Sequence, residues 1–320
     1  MKPFKLNAPC KDYIWGGTKL RTEFHQQSDA QKIAESWMLS CHPDGLSVIA
    51  GGEYDGLTLK EWIERVGKEQ LGSDCKAFEY FPILVKLIDA QDRLSIQVHP
   101  NNAYALEHEG EYGKTEMWYV VDCEPGASLY YGFQHKISKD EFKERINNNT
   151  LTEVLNQAPV HPGDVFFIES GTLHAIGAGI LVAEIQQNSN TTYRISDYGR
   201  LGADGKPRAL HVDKALDVTR LEPPTRAAKP QGEPEKMDGY TRTLLSSCDY
   251  FTVYRMELSK HAAGDADSAS FHSILCIAGE GELIYGENSM PFTKGDSIFI
   301  PAGMGSYRVE GKCEYLLTTV

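Results

Sequence analysis

Residues 163–177, with the sequence GDVFFIESGTLHAIG, align without gaps to GDSIFIPAGMGSYRV at residues 295–309. Each copy begins with Gly-Asp, continues into an apolar run that favours a β-strand, turns at small residues and enters a second strand. Such a repeat indicates two domains of one ancestry. The copies differ at one chemically important position, because His174 of the first corresponds to Ser306 of the second.

The chain outside this repeat also favours β-structure, with little helix. Residues 57–72 place apolar side chains at helical spacing. Ser138 and Glu141 have the form of a capping box that opens a helix over 139–146, and we predict a second short helix over 150–158. Short runs rich in branched and aromatic residues lie between turn signals. These runs predict strands at 81–89, 94–98, 116–122, 128–133, 164–169, 180–186, 251–258, 272–279, 281–286, 296–301 and 314–319.

The segment between the two halves has the composition of a linker. LEPPTRAAKPQGEPEKMDG (221–239) is rich in proline and charge and offers almost nothing to bury. We therefore predict a first domain over residues 1–225, which includes an N-terminal extension and the helical insertion. A linker over 226–239 and a second domain over 240–320 follow.

Composition and charge exclude several classes of partner. The chain has 320 residues, with 32 Lys and Arg against 45 Asp and Glu, and its net charge is −13. Nucleic acid and anionic membrane surfaces both require a basic face, so we expect neither as a partner. Neither a secretory signal nor a membrane span is evident, so we expect a cytoplasmic protein. The seven cysteines are scattered, which predicts no disulfide framework and no thiolate zinc site.

Four side chains could together bind one metal ion. Gln97 and His99 are two residues apart on a predicted strand, so their side chains lie on the same face of it. Glu116 opens the next strand and His174 starts a third. Two imidazoles, one carboxylate and one amide oxygen suit Zn²⁺, and Mn²⁺ or Fe²⁺ would also accept them.

These residues resemble the two sequence motifs of the cupin barrel. Gln97-Val98-His99 with Glu116 matches the first motif, and the Gly163 to His174 stretch matches the second. The resemblance implies a mainly β fold of two cupin barrels of the jelly-roll type, with a small helical insertion. Because Ser306 replaces the histidine and no His-x-His occurs in the second half, we expect a degenerate, metal-free second barrel.

Longer strings make the resemblance more specific. The chain resembles the type I phosphomannose isomerases in their short bacterial form, over essentially its full length. The strings that carry this similarity are YIWGG (13–17), AESWMLSCHP (34–43), SIQVHPNNAYA (95–105), GKTEMWYV (113–120), SGTLHAIG (170–177) and QNSNTTYRISDYGR (187–200).

The resemblance implies an activity and a set of site residues. Members of this family interconvert mannose 6-phosphate and fructose 6-phosphate, so the expected partner is a small phosphorylated sugar. One zinc ion per chain is implied, held by the residues that match the family's ligands. Arg194 is implied in the active site, and Lys114 is implied as a lining residue of the pocket. We expect a monomer or a homodimer. The implied zinc ligands are Gln97, His99, Glu116 and His174.

The sequence does not identify the base that transfers the proton. Two other functions are alternatives to the isomerase. A divalent metal near O1 and O2 would stabilise the enediolate, while Glu184 and His99 are both conceivable bases. A cupin metal-dependent oxygenase is disfavoured because Gln97 stands where those enzymes usually have a second histidine. A non-catalytic sugar-binding protein with two cupin barrels is disfavoured because it would not need to keep four metal ligands.

Overall fold

The computed structural model describes residues 1–202 and 205–320, and strands dominate this part of the chain. No helix in these two ranges is long and apolar enough to cross a membrane. The α-helices are α1 (Lys19–Thr22), α2 (Leu59–Val66), α3 (Asn102–His108), α4 (Lys139–Asn147) and α5 (Val212–Val218), and 3₁₀ turns occupy Lys68–Leu71, Ser73–Ala77 and Leu151–Glu153. The strands are β1 (Phe4–Asn7), β2 (Cys10–Lys11), β3 (Glu35–Leu39), β4 (Cys41–His42), β5 (Gly45–Leu46), β6 (Val48–Ala50), β7 (Ile83–Ala90), β8 (Ile96–Val98), β9 (Glu116–Cys123), β10 (Ser128–Phe133), β11 (Leu155–Pro159), β12 (Val165–Ile168), β13 (His174–Ala175), β14 (Ile180–Gln187), β15 (Tyr193–Ser196), β16 (Glu235–Met237), β17 (Tyr240–Ser247), β18 (Thr252–Leu258), β19 (His261–Ala266), β20 (His272–Tyr285), β21 (Asn288–Thr293), β22 (Ser297–Ile300) and β23 (Gly305–Thr319).

The first half of the chain builds two antiparallel sheets that pack face to face. One sheet has the order β12-β9-β14-β7-β3-β2, and the other has the order β11-β10-β13-β8-β15. Trp118, Phe166 and Val182 of the six-stranded sheet share one buried apolar cluster with Leu129 and Tyr131 of the five-stranded sheet. The predicted mainly β fold is therefore confirmed, and side chains that point inward from both sheets can meet between them.

The second half builds one larger sheet, and the N-terminus of the chain is part of it. Its order is β16-β17-β18-β23-β20-β22-β1-β6, with β19 beside β23 and β21 beside β20. Strand β1 lies between β22 and β6, so that Phe4 is opposite Phe299 and Lys5 is opposite Ala50. The N-terminal strand, which we assigned to the first domain, thus pairs with strands of both halves. The last residues of the predicted linker form β16, which pairs with β17.

Two of the predicted helices form, and a third does not. Thr58 and Glu61 form a complete capping box at the start of α2, and the Ser138 hydroxyl accepts the Glu141 amide at the start of α4. The second short helix predicted over 150–158 is wrong. Only a 3₁₀ turn forms there, and β11 follows and pairs with β10. Strand pairing and burial of Leu155 outweigh the local helix propensity of this segment.

Candidate metal centre

Three of the predicted ligands meet between the two sheets of the first half. His174 lies on β13, Glu116 begins β9, and His99 follows β8 directly. Their ligand atoms lie within 4.8 Å of one another, and all three side chains are buried. Glu116 Oε1 is 3.8 Å from His99 Nε2 and 3.5 Å from His174 Nε2. One carboxylate oxygen therefore faces two imidazole nitrogens in the interior.

Backbone carbonyls orient both imidazoles. His99 Nδ1 lies 2.8 Å from the Thr191 carbonyl oxygen, and His174 Nδ1 lies 2.8 Å from the Thr172 carbonyl oxygen. A carbonyl can only accept, so each Nδ1 carries the proton and each Nε2 presents a lone pair to the centre. Burial lowers the pKa of His174 to about 4 and the pKa of His99 well below its ordinary value. Both rings are therefore neutral, as metal ligands must be.

Gln97 completes the predicted set from the neighbouring strand. It is directly opposite His174 in the pairing of β8 with β13. Its Nε2 lies 3.5 Å from His174 Nε2, and its Oε1 accepts the Ser95 hydroxyl at 3.2 Å. A half-turn of the amide presents Oε1 to the centre and lets the amide nitrogen donate to Ser95 instead. The structure thus brings all four sequence-predicted ligands together.

The donor set fits a divalent cation. Glu116 Oε1 is buried and has no hydrogen-bond partner in the described part of the chain. Burial raises the pKa of Glu116, and the nearby Glu184 carboxylate raises it further. A buried carboxylate without compensation is costly, whereas a cation between its oxygen and two imidazole lone pairs would remove that cost. Imidazole and carboxylate ligands of this kind are those of mononuclear Zn²⁺ sites.

Two buried lysines lie beside this cluster. Lys114 Nζ is 2.7 Å from Glu116 Oε2, 3.5 Å from His99 Nε2 and 3.5 Å from Glu184 Oε1. Lys86 Nζ is 3.3 Å from Glu184 Oε1 and 3.5 Å from Glu35 Oε2. Burial lowers the pKa of Lys86, but the Glu35 and Glu184 carboxylates outweigh burial and raise it. Both ammonium groups are therefore held next to the cluster by carboxylates.

The sequence interpretation missed Lys86 and Glu35, although Lys86 left a visible signal. Lys86 interrupts the apolar stretch FPILVKLID, and every residue of β7 is buried. A charge in the middle of a strand without an exposed face requires a buried counter-charge. Lys86 therefore indicates that buried charged side chains meet at this strand. Glu35 gave no comparable signal, because it lies between Ala34 and Ser36 at the start of β3 and does not interrupt an apolar run.

Glu184 is fixed by one of its two oxygens. The Trp118 indole N–H donates to Glu184 Oε2 at 2.9 Å, while Oε1 is buried without a hydrogen-bond partner among the described residues. Burial raises the pKa of Glu184, but Lys114, Lys86 and the Trp118 hydrogen bond outweigh burial and lower it. Glu184 is therefore an anion, with Oε1 directed towards the two lysines.

Arg194 lines a cavity that adjoins the cluster through Gln97 and Lys114. The cavity has a volume of about 250 Å³, and Gln97, Lys114 and Glu184 form part of its wall. Arg194 is opposite Gln97 in the pairing of β15 with β8, and its Nε donates to Ser95 Oγ at 3.3 Å. The cavity wall also includes Tyr13, Arg208 and His211.

Arg194 has no carboxylate partner among the described residues, and its Nη1 donates to the Ala209 carbonyl at 3.0 Å. Asp197 pairs with Arg200 and Arg208 rather than with Arg194. Burial, and then the charge of Arg208, lower the pKa of Arg194. A guanidinium near other cations and beside a cavity favours an anionic ligand.

Comparison with known proteins identifies relatives over the full length of the chain. A family model described as "Phosphomannose isomerase type I, catalytic domain" matches residues 3–120, and one described as "Mannose-6-phosphate isomerase, cupin domain" matches residues 240–320. Mannose-6-phosphate isomerase ManA of Bacillus subtilis is 41% identical over 320 residues, which cover 99% of this chain and 98% of the relative. Mannose-6-phosphate isomerase of Streptococcus mutans is 38% identical and covers 98% of this chain and 97% of its own.

A solved structure agrees with these sequence relatives. The crystal structure of the mannose 6-phosphate isomerase from Bacillus subtilis superposes with a TM-score of 0.92 at 36% identity, and the match covers 100% of both chains. The structure of a mutant phosphomannose isomerase from Salmonella typhimurium has a TM-score of 0.76 at 18% identity, covers 99% of both chains and shows a common fold.

Proposed function

The chain belongs to the type I phosphomannose isomerases, and we propose that it interconverts mannose 6-phosphate and fructose 6-phosphate in the cavity beside the His99, Glu116 and His174 cluster. Its relatives over the full length are named for this activity. The observation that carries the proposal is the orphaned Glu116 Oε1, buried between two imidazole lone pairs and next to an arginine-lined cavity.

The proposed cofactor is one Zn²⁺ per chain, held by Gln97, His99, Glu116 and His174. A divalent cation there supplies Lewis-acid stabilisation of the negative charge that develops on O1 and O2 of the substrate. The support for zinc is the ligand chemistry, with two neutral imidazoles and one carboxylate. Mn²⁺ and Fe²⁺ are compatible with the same set.

The two lysines are proposed to stabilise the same developing charge. Lys114 Nζ lies on the cluster and also lines the cavity, so its ammonium group can donate to a sugar oxygen. Lys86 also lines the cavity, and it comes from β7, whereas Lys114 precedes β9 on the other side of the strand that carries Glu184. Fixed donors in a site without bulk water act strongly on an enediolate, because they need no reorganisation during the reaction.

Glu184 is proposed as the base that moves the proton between C2 and C1. Of the two candidates from the sequence, His99 directs its Nε2 into the ligand set and so has no free lone pair. Glu184 is ionised and lines the cavity, with its Oε1 3.3 Å from Lys86 Nζ and 3.5 Å from Lys114 Nζ. It can accept the C2 proton and return it to C1, while a proton passes from O2 to O1 and Trp118 keeps the carboxylate in place.

Arg194 and Arg208 are proposed to bind the phosphate. Both guanidinium groups line the cavity, and each can make charge-assisted hydrogen bonds to phosphate oxygens. Local positive charge is needed here because the whole chain carries a net charge of −13.

The direct test is product formation from mannose 6-phosphate, with oxygen uptake measured in parallel. We expect fructose 6-phosphate to accumulate to an equilibrium mixture, no oxygen consumption, and one equivalent of bound metal per chain. Oxygen consumption with bound iron and without isomerisation would instead support the cupin oxygenase alternative. Sugar phosphate binding without turnover would support the non-catalytic alternative.

A further inference from the structure

Thr191 lies in the loop between β14 and β15 and serves two parts of the site. Its carbonyl oxygen accepts from His99 Nδ1 at 2.8 Å and so orients one of the predicted metal ligands. Asn190 and Thr192, on either side of it, line the 250 Å³ cavity. Whatever holds Thr191 in place therefore affects both the metal centre and the cavity wall.

Glu111 holds the side chain of Thr191 from the loop between α3 and β9. The Thr191 hydroxyl donates to Glu111 Oε1. Burial raises the pKa of Glu111, but hydrogen bonds from His42 and Thr191 outweigh burial and lower it. The hydroxyl thus donates to an ionised acceptor, which makes a stronger hydrogen bond than a neutral one. Glu111 is not part of the wall of the 250 Å³ cavity, so it can influence the site only through its neighbours.

His42 fixes the other oxygen of the Glu111 carboxylate. The Asp44 amide donates to His42 Nδ1 at 3.1 Å, so Nδ1 presents a lone pair and Nε2 carries the proton. His42 Nε2 then donates to Glu111 Oε2 at 3.1 Å. His42 is buried, so this donor is held firmly. Both carboxylate oxygens are engaged, and a continuous series of hydrogen bonds leads from His42 through Glu111 and Thr191 to His99.

The same loop makes a second, parallel hydrogen bond that does not lead to the metal centre. Glu109 accepts the Tyr193 hydroxyl at 2.8 Å, two residues before Glu111 and two residues after Thr191. In the described part of the chain, Tyr193 makes no hydrogen bond to the imidazole of His99 or His174. The Glu109 and Glu111 carboxylates thus hold the same segment, but only the hydrogen bond of Glu111 reaches a residue that orients a predicted ligand.

We propose that Glu111 is a positioning residue of the metal centre, which fixes Thr191 so that its carbonyl holds His99 in the orientation that binds the metal. The inference rests on the metal site proposed above. Residues that hydrogen-bond directly to a metal ligand are worth about 10- to 100-fold in metal affinity or activity. Glu111 acts through one further residue, so we expect the lower end of this range.

The test is Zn²⁺ affinity, measured on the full-length protein by chelator competition without substrate. We expect Glu111→Ala and Thr191→Val each to weaken Zn²⁺ binding about tenfold. Thr191→Ser keeps the hydroxyl and should retain the original affinity. The double variant should bind no more weakly than the weaker single variant, because both substitutions remove the same hydrogen bond.

Glu109→Ala is the matched control. It removes a carboxylate from the same loop and a hydrogen bond to the same segment, yet it should leave Zn²⁺ affinity unchanged. An equal loss of affinity in Glu109→Ala would indicate general loosening of the segment and overturn the proposal. Unchanged affinity in Thr191→Val would also overturn it, and this variant decides the question if Glu111→Ala does not fold.

Failure of the inference is distinguishable from failure of the proposed function. If the unmodified protein does not bind Zn²⁺ stoichiometrically, the proposed cofactor is overturned, and this inference with it. If Zn²⁺ binds and is weakened as expected in a protein that does not isomerise mannose 6-phosphate, the role of Glu111 is supported and the proposed activity is refuted.

Discussion

At the scale of single residues, the proposed metal centre depends on how two imidazoles are held. Backbone carbonyls of Thr191 and Thr172 accept from the Nδ1 atoms of His99 and His174. A main-chain acceptor is fixed by the fold around it, so the Nε2 lone pairs are directed at Glu116 before any cation arrives. Such preorganisation lowers the reorganisation that binding requires.

Removing a ligand should remove metal and activity together. We expect His99→Ala and Glu116→Ala each to lose bound metal and to reduce turnover by more than about 100-fold. Mutation of residues that only hydrogen-bond to a metal ligand already lowers metal affinity or activity by about 10- to 100-fold. The measurement is elemental analysis of the purified variants with a coupled isomerase assay. His272→Ala, a partly buried histidine that contacts Tyr307 in the second half, is the matched control and should keep both. Full metal occupancy in Glu116→Ala would contradict the ligand assignment.

Replacing Arg194 should separate metal binding from catalysis. Arg194→Ala should keep its metal but lose about 10- to 100-fold in kcat/KM, because one or two charge-assisted hydrogen bonds to the substrate are lost. Arg194→Lys should recover part of the loss, since the charge stays but the bidentate geometry does not. Arg242→Ala, which removes an arginine paired with Glu235 on the large sheet, should have no effect on kcat/KM. Normal kcat/KM in Arg194→Ala would refute its proposed role.

The sequence could predict which four side chains meet in the candidate metal centre, but not the charges around them. Gln97 and His99 lie on one face of a strand, and periodicity reveals that directly. The buried pairs of Lys86 with Glu35 and Glu184 join three different strands. Strand order decides such contacts, and strand order is not contained in the local pattern. Lys114 likewise follows a glycine in a turn, and only the tertiary structure shows that it is buried.

At the scale of elements, strands that carry strong apolar runs were predicted well, and errors occur where pairing overrides propensity. Strands β7, β9, β10 and β14 lie within a residue or two of their predicted limits. The local sequence of segment 150–158 favours a helix. Its second half nevertheless forms β11, because β11 pairs with the free edge of β10. The predicted strands at 272–279 and 281–286 are one strand, β20, which pairs with β23 along most of its length.

Replacement of Phe4 tests how strand β1 packs against the two halves of the chain. Phe4 is buried, with its ring 5.0 Å from Trp62 of α2 and 5.4 Å from Phe299 of β22. Phe4→Ala should lower the free energy of unfolding by about 3–5 kcal/mol, because it leaves a cavity between elements of both halves. Denaturant titration measures this change, and Tyr80→Ala at an exposed position is the control. A loss below about 0.5 kcal/mol, typical of surface substitutions, would show that β1 is not packed as described.

At the scale of the whole molecule, the proposed cation would give the buried site a charge opposite to that of the chain. A cation would keep Glu116 ionised, and the three carboxylates (Glu35, Glu116 and Glu184) and two ammonium groups (Lys86 and Lys114) then sum to one negative charge. A bound divalent cation converts this to one positive charge, within a chain whose net charge is −13. A phosphorylated sugar that develops further negative charge would then meet a locally positive site. The proposed cation would therefore serve substrate binding as well as chemistry.

The most direct measurement of this central claim is the coupled isomerase assay before and after metal removal. We expect chelation, verified by elemental analysis, to abolish conversion of mannose 6-phosphate to fructose 6-phosphate, and stoichiometric Zn²⁺ to restore it. Circular dichroism of the stripped protein checks that the β fold is retained, so that loss of activity reports on the metal. A fully metal-free, folded protein that isomerises mannose 6-phosphate at the original rate would refute the proposed role of the metal.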